Sequence, residues 1–326
     1  MSAIYQLSTK WEGMPAYPIP VAEAQGAMFG TDFVLFSGFT VNFFKPLTKK
    51  CYAYDTRQNT TGTWREMDDF PAVNGSTHGA FVIIQNIMYL CGGYVGAHPG
   101  PATNLCWKYD HSAARGMQWS TMPSLPGQRS GGGMIHDSVR NTLLFATGAS
   151  RPNPLDPIFT IDHPDVWQLD LNNINAGWVT KPILPYQGNH IGFVTLNYGG
   201  QERHFFLGGQ HGEEEKTSNL AHMYEWDASG EKWIERKSLL FPRGHFSSST
   251  NALSTGCGFV ISGGATNDGG QTSEVHYYDL PTDTWSVLGN LKSRLNTPVC
   301  SIQSNYLYCE SGHINKPFSW RTQITY

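Results

Sequence analysis

Charge is what this 326-residue sequence has least of: Asp, Glu, Lys and Arg together make up 15%, against about 25% in an ordinary soluble domain. That shortage, beside 13% aromatics, excludes a disordered chain, which needs the opposite bias. A basic excess is missing too: the formal net charge is -4, so there is no electrostatic footprint for nucleic acid. No window of 18 apolar residues occurs, which leaves no candidate membrane-spanning helix. Residues 1–20 lack the apolar core of a leader peptide. The expectation is a cytoplasmic protein, or a secreted one in a mature form whose leader has been removed. No two of the six cysteines have CxxC spacing, which disfavours a structural zinc site. GxSxG, HExxH and phosphate-loop patterns are also lacking, so the corresponding hydrolase and nucleotide-binding readings find no support.

What the sequence does have is 35 Gly, 19 Pro, 10 Trp, 15 Tyr and 17 Phe. Gly and aromatics in place of Ala, Glu, Lys and Leu point to a turn-rich, all-β protein and away from helical bundles. A chain of about 300 residues buries about 75% of its unfolded surface, so no disulfide is needed to hold its core.

The order within the chain is repetitive. Trp occurs at 11, 64, 119, 178, 233 and 285, at intervals of 53, 55, 59, 55 and 52. Five aromatic segments ending in Asp precede Trp residues: Cys51–Asp55, Cys106–Asp110, Val166–Asp170, Met223–Asp227 and 276–279. A third marker is a small residue followed by Gly: Ser37-Gly38, Gly92-Gly93, Thr147-Gly148, Gly208-Gly209, Gly263-Gly264 and Ser311-Gly312. Alternation of period two and turn residues between apolar runs make each unit four strands. A small four-stranded sheet cannot cover both faces alone, and radial stacking solves this as a β-propeller. The Trp residues read as fillers between sheets and the Gly pairs as sites of close backbone approach.

These residues resemble the kelch repeat, whose period is about 50. The di-Gly, the Tyr-containing strand, the later Trp and Pro242-Arg243-Gly244-His245 carry the resemblance across nearly the whole chain. Units one, three and six depart from it with Ser-Gly or Thr-Gly, and unit six lacks the Asp and the Trp. The expected architecture is an all-β, six-bladed β-propeller forming a single domain over residues 1–326. Its blades would fall roughly at 21–66, 75–121, 129–180, 188–235, 243–287 and 294–326 plus 1–12, the last closed by N- and C-terminal strands. Cys91 with Cys106, and Cys300 with Cys309, fall on adjacent strands, where each pair could bridge in an oxidising compartment or remain two buried thiols.

In such a propeller the segments leading into each innermost strand, and the loops leaving each second strand, open on one face around the axis. The lead-in segments carry His78, Arg129, His190, Arg243 with His245, and Arg294. The exit loops carry Asn42, Tyr94, His98, Arg151, His163, His211, Glu213, Asn267, Asp268, His313 and Lys316. Seven of the twelve histidines fall on this rim. Each could instead be a structural link between blades, but a convergent pocket rich in titratable groups is the default site. We assign acid/base roles to His78, His190, His211, His245 and His313. Tyr94, His98, Arg129, Arg151, His163, Arg243, Arg294 and Lys316 would bind the substrate, the cations orienting an anionic or enolate-like one. The loop from Gly148 to Asp165 is long enough to lid the mouth.

Among kelch-like propellers, the copper-radical oxidases need a Cys-linked Tyr, and Cys51 and Cys257 lie near no evident rim Tyr. Plant specifier proteins bind iron through Glu-x3-Asp-x3-His, whereas Glu214, Ser218 and His222 break that pattern. Sialic acid mutarotases and several polysaccharide lyases use His, Arg and Tyr with no organic cofactor. The leading expectation is therefore a monomeric enzyme with non-redox chemistry on a small molecule: an isomerase, lyase or cyclase, as in secondary metabolite biosynthesis, with no cofactor. The alternatives are a non-catalytic kelch interaction module and a metal-dependent enzyme holding a divalent metal on two or three rim histidines.

Overall fold

The computed structural model describes residues 5–40, 46–97, 100–151, 160–212, 217–267, 269–310, 312 and 318–325. Six antiparallel sheets of the same form follow one another along the chain. The second blade is representative. Ala80–Ile84 is innermost, Ile87–Cys91 pairs with it across Gln85-Asn86, Cys106–Asp110 is third and Trp119–Met122 is outermost. The innermost strands of the other blades are Gln25–Phe29, Gly133–Asp137, Gly192–Tyr198, Thr250–Ala252 and Val299–Gln303. The architecture is an all-β, six-bladed β-propeller. Among the described residues, helical turns of three residues are the only helices.

The last blade is closed by both ends of the chain. Ser319–Thr325 is its third strand, pairing with Tyr306–Glu310. The outer strand comes from the N-terminal region in two pieces, Gln6–Leu7 and Glu12–Met14, both paired with Ser319–Thr325. Arg321 fastens this seam, donating from Nε to Glu12 Oε2 at 2.6 Å and lying 4.6 Å over the Tyr306 ring.

Two of the three repeat markers, the Trp and the Gly pair, are fasteners between blades. Each outer-strand Trp donates its indole N–H to a carbonyl just beyond the preceding blade's outer strand. The pairs are Trp64 to Pro15, Trp119 to Asp68, Trp178 to Pro123, Trp233 to Pro182 and Trp285 to Lys237, at 2.9–3.3 Å. The second Gly of five of the six pairs reaches forward instead, whereas Gly312 N donates to Glu310 Oε2 at 2.8 Å within its own blade. Gly38, Gly93, Gly148, Gly209 and Gly264 donate their N–H to the carbonyls of Ser76, Arg129, Gly188, Arg243 and Leu295 in the next unit's lead-in. All five adopt φ between 92° and 107°, a region costly for any residue with a Cβ.

The first position of the pair, at φ near 60°, tolerates a side chain, and this explains the Ser-Gly and Thr-Gly departures. Ser37 Oγ donates to Ser76 O at 2.6 Å, and Thr147 Oγ1 lies 2.8 Å from Gly188 O. Each hydroxyl adds a second link to the next blade. Cys91 is bonded to Cys106 and Cys300 to Cys309 across directly facing strand positions, while Cys51 and Cys257 are free.

Candidate functional site

The lead-in segments cross one end of the propeller axis, and one residue of each turns inward there. In blades one to five these residues are Glu23, His78, Gly131, His190 and His245, with φ of 54°, 60°, 66°, 52° and 62°. Left-handed backbone costs a non-glycine residue about 1–2 kcal/mol, and such strain concentrates at functional sites. Backbone bonds join these residues in sequence around the axis: Gly131 N to His78 O at 2.7 Å, Ile191 N to Gly131 O at 3.3 Å and His245 N to His190 O at 3.1 Å. Blade six contributes Thr297, whose Oγ1 accepts from Glu23 N at 3.2 Å.

The side chains converge. The rings of His78 and His190 are 4.2 Å apart, and those of His190 and His245 are 4.0 Å apart. Glu23 places one carboxylate oxygen 3.1 Å from His78 Nε2 and the other 3.8 Å from His245 Nε2. Burial pushes the His245 imidazole down to about 4, so it is neutral near pH 7. Its Nδ1 is buried with no hydrogen-bond partner among the described residues. Beside this cluster runs a largely apolar axial channel of about 380 Å³, lined by Met28, Ile83, Met134, Phe193, Ala252 and Ile302, one from each innermost strand. Ser247 and Ser248 line both the channel and the small cavity at the histidines.

A polar chain links the axis to the exit loops. Asn189 Nδ2 donates to Asp162 Oδ1 at 2.6 Å and to Gly212 O at 3.3 Å. Both partners only accept, which fixes the amide and turns Asn189 Oδ1 toward His190 Nδ1, its hydrogen-bond partner. His190 Nδ1 therefore carries the proton, and the ring's lone pair is on Nε2. The other Asp162 oxygen lies 3.2 Å from Nδ1 of His211, whose side chain is 41% exposed.

The remaining candidates lie elsewhere. Tyr94 is buried, its ring 5.4 Å from that of His78. His163 meets Ser150 Oγ at 2.7 Å through Nε2, and burial followed by the Arg129 charge lowers its pKa. Arg129 is buried, bonded to Asp165 and stacked 4.8 Å over Trp167. Arg151 is also buried, with Nη1 3.3 Å from Gly100 O. Arg243 is fully enclosed, 4.7 Å over Phe241 and 3.1 Å from His276 Nε2, and burial lowers its pKa to about 10. None of these three presents an open cation on the rim. Arg294 differs more: it is exposed on the long outer strand Thr284–Leu295 of blade five, because Leu295 occupies the slot equivalent to Arg129 and Arg243. His98, His313 and Lys316 lie outside the described residues, as do Asn42, Glu213 and Asp268.

Glu23 is the functional-type residue that sequence reasoning missed. Its slot is two residues before the innermost strand, as for His78, but the residue type differs.

His276 gives a pH prediction. It is buried, with Nε2 2.7 Å from Glu274 Oε2 and Arg243 beside it, and burial followed by the Arg243 charge lowers it to about 4. The unfolded chain takes up this proton near pH 6.5 and the folded chain only near 4, so stability is full above about pH 6.5 and falls as pH drops from there to 4. Guanidinium midpoints measured from pH 7.5 to 4 should fall, and less steeply in His276→Gln. An equal slope in the variant would remove His276 from this account.

No protein-family model matches the chain. The chain is similar to a kelch repeat-containing protein of Arabidopsis thaliana, 23% identical over 324 residues, which span 93% of this chain and 71% of that protein. With three repeat markers in order and six four-stranded blades fastened through them, the chain is a six-bladed β-propeller that is similar to a kelch repeat-containing protein.

Proposed function

We propose that this propeller is an enzyme acting on a small molecule by non-redox chemistry of the isomerase, lyase or cyclase type, with its reaction centre at the axial cluster. The observation that carries the reading is the convergence of three imidazoles and a carboxylate from four blades beside an apolar channel. Four non-glycine residues in left-handed backbone are expensive to hold, and blade three shows that glycine fills the same slot. A neutral imidazole beside a carboxylate can take a proton from a substrate carbon or hydroxyl and return it elsewhere. The Asp162–His211 pair supplies a second, oriented imidazole on the exit loop. The apolar channel suits a hydrophobic substrate body better than a highly charged one, because Arg129, Arg151 and Arg243 are buried.

A thermal-shift screen over sugar acids, polyketides and terpenoids tests this. One class is expected to raise the unfolding midpoint of the wild type and not that of Glu23→Gln. If no compound acts, and a protein partner binds stoichiometrically on the rim, the interaction-module reading replaces this one.

A further inference from the structure

One ligand-type atom from each of Glu23, His78, His190 and His245 lies within 4.8 Å of the other three. We propose that these four side chains bind a divalent transition metal of the zinc class, which serves as the Lewis acid of the axial pocket. The metal's role rests on the enzyme reading above; its binding does not.

The spacing suits such a cation. Bonds of about 2.1 Å in a tetrahedral site put neighbouring donors about 3.4 Å apart. Glu23 already sits 3.1 Å from His78 Nε2 and 3.8 Å from His245 Nε2, so closing on an ion needs side-chain shifts only. The donor set selects the metal class. Imidazole nitrogens with one carboxylate suit zinc and its first-row neighbours, whereas calcium and magnesium require mainly oxygen.

The orientation of the ligands points the same way. A metal ligand must be a neutral imidazole with its lone pair on the coordinating nitrogen. The fixed amide of Asn189 accepts from His190 Nδ1 and leaves the ring's lone pair on Nε2. The Asp162–Asn189–His190 chain has the form of the outer contacts that orient ligating histidines. The backbone supports the same four side chains, all carried on left-handed residues that aim them at the axis.

A second group, Asp137, Glu202 and His204, offers one imidazole against two carboxylates, a poorer donor set for such a cation. Asp137 is engaged by Arg140 at 2.8 Å, Glu202 by Ser138 N at 2.7 Å and His204 by Thr195 Oγ1 at 2.9 Å. With a cation on the axis the three imidazoles act as ligands, and proton movement falls to water on the cation and to His211.

The test is titration of the full-length, EDTA-treated protein with Co(II), followed by its visible absorption, then competition with Zn(II). One equivalent is expected to bind and be displaced by Zn(II). His190→Gly, which places in blade four the residue blade three already has, should weaken binding at least about 100-fold. Asp162→Asn should weaken it about 10- to 100-fold by releasing the Asn189 amide, and Glu202→Gln should leave the spectrum unchanged. If His190→Gly does not fold, Glu23→Gln is the ligand variant, with a loss of at least about 10-fold and an altered spectrum. No bound equivalent, an unchanged spectrum in the ligand variant or a spectrum lost in Glu202→Gln would overturn the proposal. Small-molecule stabilisation that persists in metal-free protein overturns the metal and leaves the axial enzyme. A bound equivalent in a protein that no small molecule stabilises leaves the metal and overturns the enzyme.

Discussion

Gly209→Ala is expected to destabilise the propeller by about 3–5 kcal/mol, the range reserved for mutations with a specific structural cause. Gly209 adopts φ 92°, and a Cβ there would lie 2.5 Å from Asn189 O and 2.5 Å from Ile191 Cγ2. Neither obstacle can yield locally. Asn189 O belongs to the lead-in of the same unit, and its amide partner is Gln210 N at 2.8 Å. Gly209 itself donates to Arg243 O at 2.8 Å and accepts from Leu220 N at 2.8 Å. Relief of the clash therefore stretches the link between blades four and five. Gly199 is the control, because it also has positive φ, 61°, yet a Cβ there meets nothing within 4 Å. Gly199→Ala should cost only the backbone penalty of about 1–2 kcal/mol. Guanidinium denaturation of the two variants beside the wild type measures the difference, and equal losses would remove the Gly pair from its role as a fastener.

The other large effect is functional. Replacing His78, His190 and His245 together with glycine should abolish the small-molecule response and lower any turnover by at least about 100-fold, whether the imidazoles move protons themselves, a role worth about 10²–10⁴-fold, or hold the proposed cation. The His190 ring lies 4.2 Å from that of His78 and 4.0 Å from that of His245, which are 6.3 Å from each other, so a single variant leaves two imidazoles at the axis. The triple variant removes that redundancy while leaving Glu23, the channel and the Asp162–His211 pair in place. Thermal-shift response to the compound class found in the screen, and turnover of it, are the readouts. Retained turnover would move the chemistry to the exit loops.

Much of this was readable in the chain because each repeat marker has one physical job. The Trp and the second Gly recur because five of the joints between blades use the same indole and five the same backbone donor, and at Ser37 and Thr147 a hydroxyl does added work in a slot that admits a side chain. The three axial histidines were legible for the same reason: they share one slot. Glu23 was not, because a change of residue type hides an unchanged slot. Arg129 and Arg243 were placed in the right segments, yet whether a cation faces solvent depends on Trp167 and on Phe241 with His276, which no local pattern reveals. Arg294 is one residue out of register with them, and a slip of one residue in extended chain reverses the face. The cysteine pairs were visible as cross-strand neighbours, but bonding depends on register that only the folded sheet sets.

The central claim is that the axial histidines serve chemistry and are held there at some expense to the fold. Guanidinium denaturation of the His78→Gly, His190→Gly, His245→Gly triple variant tests it most directly. Relief of left-handed strain at three sites, about 1–2 kcal/mol each, is offset by the greater freedom of glycine in the unfolded chain, about 0.5–1 kcal/mol each. These two terms net about 0–4 kcal/mol of stabilisation, and loss of the His78–Glu23 and His190–Asn189 contacts works against it, so the account predicts stability within about 2 kcal/mol of wild type. Were the histidines clamps between blades instead, each lost buried hydrogen bond would cost about 1–3 kcal/mol, and a loss of several kcal/mol across the three would contradict the account.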